Sequence, residues 1–159
     1  VRTIGDRIAG QGPLSGIQAA LHDLAPSEDW ALVVACDLEG CRAEWAATLL
    51  THRQPAALAV AFAGPMTAAL DNTFDAAFCQ ASDPTFGPPA DGTRERIAWE
   101  PLFALYHRDM LAAVERALHE AKLGIQALLT GVNAVRVTLP HDWSQARNIN
   151  SPAALVREE

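Results

Sequence analysis

Short apolar runs that alternate with amphipathic stretches constrain this chain more than any other feature of its sequence. Residues 30–36 read Trp-Ala-Leu-Val-Val-Ala-Cys without a polar interruption, and residues 57–62 repeat the pattern. A continuous apolar run this short is expected of a strand covered on both faces. Residues 97–106, broken by Pro101, and residues 134–139, where Val135 and Val137 alternate with Arg136 and Thr138, supply two more strands. Proline removes a ladder donor, so Pro101 predicts an edge position or a bulge.

Between the strands the helical period takes over. Ser15 with Gln18 three residues on has capping-box spacing, and Ile17, Ala20, Leu21 and Leu24 then share one face until Pro26. Residues 42–53 form a second helix with Trp45, Leu49 and Leu50 inward, and residues 107–121 a third with Met110, Leu111, Val114, Ala117 and Leu118 on one side. A shorter helix near 125–129 stops at Gly131, and Ser151 with Pro152 opens a terminal one. Residues 64–96, rich in Gly, Pro, Asp and Thr, read as a surface excursion. The alternation predicts an α/β fold: three α/β/α layers around a mostly parallel sheet, in a single domain over residues 1–159.

The formal net charge is −7, which disfavours nucleic acid as a partner because phosphate binding wants a basic face. No run approaches the roughly 18 apolar residues of a membrane span, so no membrane partner is expected. Cys36, Cys41 and Cys79 form no disulfide framework and no zinc spacing; they read as reduced, mostly buried thiols of a cytoplasmic protein. His22, His52, His107, His119 and His141 are scattered without ligand spacing.

Three segments carry candidate chemistry. Asp37 ends the run at 30–36, and in an open parallel sheet ligands bind beyond the carboxyl ends of strands. A carboxylate there can hold Mg²⁺ that bridges triphosphate oxygens, or simply cap the following loop. Gly10, Gly12 and Gly16 precede a helix at a spacing near the dinucleotide fingerprint. Pro13, however, removes an amide that such a loop would aim at a pyrophosphate, and no long buried strand leads in. Asn148 and Asn150 flank Ile149, so an extended segment puts both amides on one side, suited to a polar heterocycle or a phosphate, or to capping the next helix.

Taken in order, the Gly12-Pro13-Leu14-Ser15-Gly16-Ile17 segment, the strand ending Cys36-Asp37, the Pro101-Leu102-Phe103-Ala104-Leu105-Tyr106 strand and Asn148-Ile149-Asn150-Ser151-Pro152 resemble the MobA-like nucleotidyltransferase family, of the molybdenum-cofactor guanylyltransferase type. The resemblance spans almost the whole chain. It implies a Rossmann-like nucleotidyltransferase fold and transfer of GMP from Mg²⁺-GTP to the phosphate of molybdopterin, with release of pyrophosphate. It also implies roles: Asp37 as catalytic residue and Mg²⁺ ligand; Asp6, Gly12, Pro13, Leu14 and Gly16 at the nucleotide; Asn148, Asn150 and Lys122 at the acceptor. There are departures. Leu38-Glu39 stands where the family has Met-Pro after the Cys-Asp pair, Ala154 replaces an acidic residue, and Glu100 a glutamine. The family's first signature, a glycine-rich loop with Arg and Lys, is not among these residues. Its segment would supply a central strand, so an apolar edge is expected to be covered by a partner chain or a second copy in a homo-oligomer. The alternatives are a degenerate, non-catalytic binding or scaffold protein, a transferase using another nucleotide such as CTP, and an unrelated Rossmann-like binder.

Overall fold

Helix α1 (Pro13–His22) begins where two backbone constraints coincide. Pro13 sits in the first turn, where its fixed φ suits a helix and its missing N–H costs nothing. Gly12 before it has φ 62° and ψ −154°, a region essentially closed to residues with a side chain. The expected capping box does not form, because these constraints start the helix ahead of Ser15. The Ser15 hydroxyl instead donates to the Ile8 carbonyl at 2.6 Å, and Gln18 is buried with its Oε1 unpartnered among the described residues. The computed structural model describes residues 4–8, 10–65 and 97–149. The readings of residues 1–3 and 66–96, Cys79 among them, and of the terminal helix with Asn150, Ser151 and Pro152 lie outside these.

Strands β1 (Trp30–Val34), β3 (Ala59–Pro65), β4 (Ile97–His107) and β5 (Ala134–Thr138) form one sheet in the order β1-β4-β3-β5. β4 runs antiparallel to both β1 and β3, and β5 is parallel to β3. Three of the four strands therefore point one way, with β4 reversed between two of them. A second, two-stranded sheet joins β2 (Leu38–Glu39) to β6 (Arg147–Asn148). Helices α2 (Ala43–Thr51), α3 (Leu111–His119) and α4 (Ile125–Gly131) complete the frame.

The sheet is clad on two faces, each with its own core. On one, Leu14, Ile17 and Leu21 of α1 meet Val114 and Leu118 of α3, Ile125 and Leu129 of α4, and Ala61, Ala104 and Tyr106 of the sheet. On the other, Trp45 and Leu49 of α2 meet Phe62, Phe103 and Trp143. The aromatic rings there pack at angles, with Trp45 4.8 Å from Trp143 and 5.8 Å from Phe103. Such pairs add about 0.5–1.5 kcal/mol each beyond buried area.

Pro101 marks a bulge, not an edge. Ala61 pairs with Ala104 and Ala63 with Trp99, so residues 100–103 of β4 lie opposite Phe62 alone. The Pro101 carbonyl freed by this kink accepts from the buried Tyr106 hydroxyl at 2.8 Å. β4 has a neighbour on each side because β1 reaches its later half.

Other expectations change with packing. β1 is the edge of the described sheet, and Leu32 and Val34 are 44% and 41% exposed, so the run at 30–36 is not covered on both faces. Leu50 is 43% exposed: it follows the fully buried Leu49 by one residue, a turn of about 100° around the helix. His107 closes β4 and its ring accepts from the Asp109 N–H, so the third helix starts only after a 3₁₀ turn, Arg108–Met110. Cys36 and Cys41 are exposed, not buried, because both lie in turns around β2. Among the described residues no helix is long and apolar enough to cross a membrane.

Candidate active site

The topology gathers two of the sequence signatures, and the start of the third, at one end of the sheet. Residues 23–29 lead from the end of α1 straight into β1, so the helix runs back alongside the strand and its amino end lies at the carboxyl end of β1. Asp37 is at that same end. The N-terminal half of the reversed β4, with Trp99 and Glu100, arrives there too.

On the helix side, the Asp6 carboxylate approaches the first turn of α1. A Cβ placed on Gly16 would lie 3.9 Å from Asp6 Oδ1, an ordinary contact. Packing with Asp6 therefore does not require glycine at 16, although glycine inside a helix costs about 0.5–1 kcal/mol relative to alanine.

On the strand side, Ala35 N–H still bonds Leu102 O at 2.8 Å, after which the chain turns and Asp37, half-buried, leads into β2. β2 pairs antiparallel with β6, Leu38 opposite Asn148 and Glu39 opposite Arg147. Ile149 N–H then donates to the Asp37 carbonyl at 2.8 Å. The Cys36-Asp37 turn and the start of the Asn148 segment are thus neighbours in space. Lys122 lies in the α3–α4 connection, its ammonium 2.9 Å from Glu120 and largely exposed.

A strap built from residues 142–148 holds this arrangement. Asp142 accepts from the Trp45 indole at 3.0 Å, and its other oxygen lies 3.2 Å from Arg42. Burial raises the pKa of Asp142, but the bonds from Trp45 and its own backbone and the charge of Arg42 hold it below the ordinary carboxylate range. Arg42 also donates to Gln145 Oε1 at 2.5 Å. Gly40 has φ 81°, and a Cβ there would lie 2.8 Å from the Gln145 carbonyl oxygen, so only glycine lets the strap approach β2. Beneath it, Glu100 is 8% exposed; burial pushes its pKa up to about 7, against a smaller opposing effect of the bond from Trp143.

Asp37 and the Asn148 segment were legible as motifs. Arg42, Asp142, Gly40 and Trp143 were not, since each meets partners about a hundred residues away. A groove of ≈ 360 Å³ of mixed polar and apolar lining, with Glu28, Asp29 and Arg53 beside Trp30, Leu32 and Leu50, lies toward the amino end of β1, away from Asp37.

None of the curated proteins matches the chain. Among solved structures, molybdopterin-guanine dinucleotide biosynthesis protein A from Archaeoglobus fulgidus superposes with a TM-score of 0.59 at 20% identity, over 91% of this chain and 59% of that one. A protein from Aquifex aeolicus VF5 superposes with a TM-score of 0.57 at 16% identity, over 87% of this chain and 56% of that one. The likeness is one of fold, and the chain spans less than two thirds of either structure. A family model for the MobA-like NTP transferase domain matches residues 1–137, and the chain belongs to that family.

Proposed function

We propose that this chain is a nucleotidyltransferase domain that moves GMP from Mg²⁺-GTP to the phosphate of molybdopterin. The observation that carries the reading is the 2.8 Å bond from Ile149 N–H to Asp37 O, in a chain of this family. It joins the carboxylate turn at the end of β1 to the segment assigned to the acceptor. In the reaction an acceptor phosphate oxygen attacks the α-phosphorus of the nucleotide, the bond to the β-phosphate breaks, and pyrophosphate leaves.

Among the described residues no group of three or more His, Cys, Asp or Glu side chains could hold a metal on its own. Mg²⁺ is commonly bound by one or two carboxylates together with substrate phosphates. Asp37 would be its protein ligand, and the ion would supply charge neutralisation along the triphosphate. The chain's own contribution is alignment: Asp6, Gly12, Pro13, Leu14 and Gly16 form a wall on the nucleotide side, while Asn148 and Asn150, with Lys122, contact the acceptor. The edge that β1 forms in the described sheet is where a further strand, from a partner chain or a second copy, would add.

The test incubates the protein with Mg²⁺, molybdopterin and either GTP or CTP and follows pyrophosphate release. Release with GTP supports the reading, and release with CTP alone moves the base specificity. Binding of both substrates without release from either nucleotide favours a non-catalytic binding protein.

A further inference from the structure

We propose that Gln126 is a positioning residue: by holding both backbone groups of Trp99 it fixes the register of β4 at its bulge and, through Leu102 and Ala35, the turn that carries Asp37. Its catalytic consequence rests on the transferase reading above; its structural consequence does not.

Gln126 lies in the first turn of α4, and its side-chain amide meets one residue of β4 twice. Its Oε1 accepts from Trp99 N–H at 2.9 Å, and its Nε2 donates to Trp99 O at 2.8 Å. A primary amide offers the same acceptor and donor that a peptide unit of a neighbouring strand would offer. β1 stops bonding β4 at Leu102, so it does not reach Trp99, and Gln126 stands there in place of a strand. Packing alone does not ask for an amide at this position, because Ile125 and Leu129, both buried, already seat α4 on the core.

The pair of bonds selects one register. Along an extended strand, successive residues turn their N–H and C=O groups toward opposite edges. A slip of one residue would bring to Gln126 a residue whose groups face the other way, and would swing Trp99 to the opposite face of the sheet. The Trp99 side chain is held separately. Its indole N–H donates to Thr130 Oγ1 at 3.1 Å, one turn along α4, and the Arg136 guanidinium lies 5.8 Å from the ring centroid.

The place of this clamp gives it its consequence. β4 bulges between Trp99 and Leu102. Gln126 holds the near side of the bulge, and Ala35 N–H holds the far side at 2.8 Å from Leu102 O. If the near side lets go, the extra residues can redistribute along the strand, and Leu102 O is drawn away from Ala35. Asp37 comes two residues after Ala35, so its turn inherits the register that the bulge takes.

The experiment compares Gln126→Leu, Gln126→Glu and Thr130→Val with the wild-type protein. Leucine removes both bonds. An ionised glutamate keeps an acceptor for Trp99 N–H but sets a second acceptor against Trp99 O, and on protonation it regains the donor. Thr130→Val frees the indole and leaves the backbone pair intact. Amide exchange at Trp99 and Ala35 is read by NMR without nucleotide at about pH 4 and about pH 8, either side of the ordinary glutamate value. The Mg²⁺ dependence is read by pyrophosphate release at the higher pH. Gln126→Leu should lower protection at both amides roughly tenfold or more while α1 and α3 keep theirs. Gln126→Glu should do the same at the higher pH and return toward wild type at the lower. Both variants should raise the Mg²⁺ concentration for half-maximal release roughly tenfold, the scale of a lost support behind a metal ligand, with kcat at saturating Mg²⁺ changed less.

Unchanged protection at Ala35 in Gln126→Leu overturns the proposal, and Gln126→Glu across the two pH values decides if the leucine variant unfolds throughout. Thr130→Val loosening Ala35 as far as Gln126→Leu would also overturn it, since the Trp99 side chain and not the backbone pair would then set the turn. Loosened exchange at Ala35 with an unaltered Mg²⁺ requirement overturns the positioning role. If the wild-type protein releases no pyrophosphate, the transferase reading fails while the exchange data still decide what Gln126 does to β4.

Discussion

Ile149 N–H donates to Asp37 O at 2.8 Å, so two segments from opposite ends of the chain share a backbone bond at the candidate active site. The bond uses the Asp37 main chain and leaves its carboxylate for other work. Asp37→Ala should therefore keep the fold, with a melting temperature close to wild type, while lowering turnover roughly a hundredfold or more, the scale of one lost electrostatic contact in a transition state. Pyrophosphate release alongside thermal unfolding separates the two effects, and undiminished turnover would remove Asp37 from the metal role.

The two glycines of the α1 turn should behave oppositely. Gly12 occupies backbone space closed to other residues, so Gly12→Ala should cost about 1–3 kcal/mol in urea unfolding. Gly16 is helical with room for a methyl, so Gly16→Ala should gain about 0.5–1 kcal/mol. If that first turn is a nucleotide wall, the same methyl should weaken GTP binding. Tighter or equal binding by Gly16→Ala would place the nucleotide elsewhere.

Glu100 predicts a pH dependence. Burial raises its pKa from 4.5 to about 7, so the folded state holds the proton more tightly than the unfolded one. For an acid shifted this way, the contribution to stability is complete below the unfolded value and is lost as pH rises toward the folded value. At 1.36 kcal/mol per unit the loss approaches about 3 kcal/mol, an upper bound for a group with residual solvent access. Glu100→Gln should show no such loss. The wild-type-minus-variant difference should fall between pH 4.5 and 7 and level off above, and a flat difference in urea melts would show that Glu100 titrates normally.

The edge of β1 predicts association. Leu32 and Val34 are exposed on a strand that pairs, among the described residues, with β4 alone. Sedimentation should show concentration-dependent self-association, or capture of an added strand, weakened by Val34→Lys. A monodisperse monomer across the concentration range would contradict this.

What the sequence revealed and concealed divides by distance along the chain. β1, β3 and β4 could be read because each is a local apolar run, β5 because Val135 and Val137 alternate with polar residues, and α3 because Val114, Ala117 and Leu118 repeat at the helical period, whereas the two-residue β2 and β6 left no such trace. The central place of β4 could not be read, because it depends on register with strands tens of residues away, and Pro101 left an edge and a bulge equally open. Ser15 was misread because its spacing to Gln18 is a local rule, overruled by Gly12 and Pro13 beside it. Cys36 and Cys41 followed the habit of cysteine to be buried, against the turns in which they sit. In the site, Asp37 and the Asn148 segment announced themselves, whereas the strap joins groups such as Arg42 and Asp142 that no local pattern connects.

β1 is a lever with two instrumented ends. At one, Trp30 lies edge-on to the His107 ring with centroids 4.9 Å apart; at the other, Asp37 comes two residues after Ala35, the last residue bonded to β4. Because β1 is bonded on one side in the described sheet, its opening is less costly than that of β4, and both ends move with it. Whatever steadies Asp37 must then steady Trp30, and whatever zips onto the open side must in return tighten the grip at Asp37, since coupling between two sites is reciprocal. Under the role proposed for Asp37, occupancy at that end of the strand should register in the indole of Trp30 at the other.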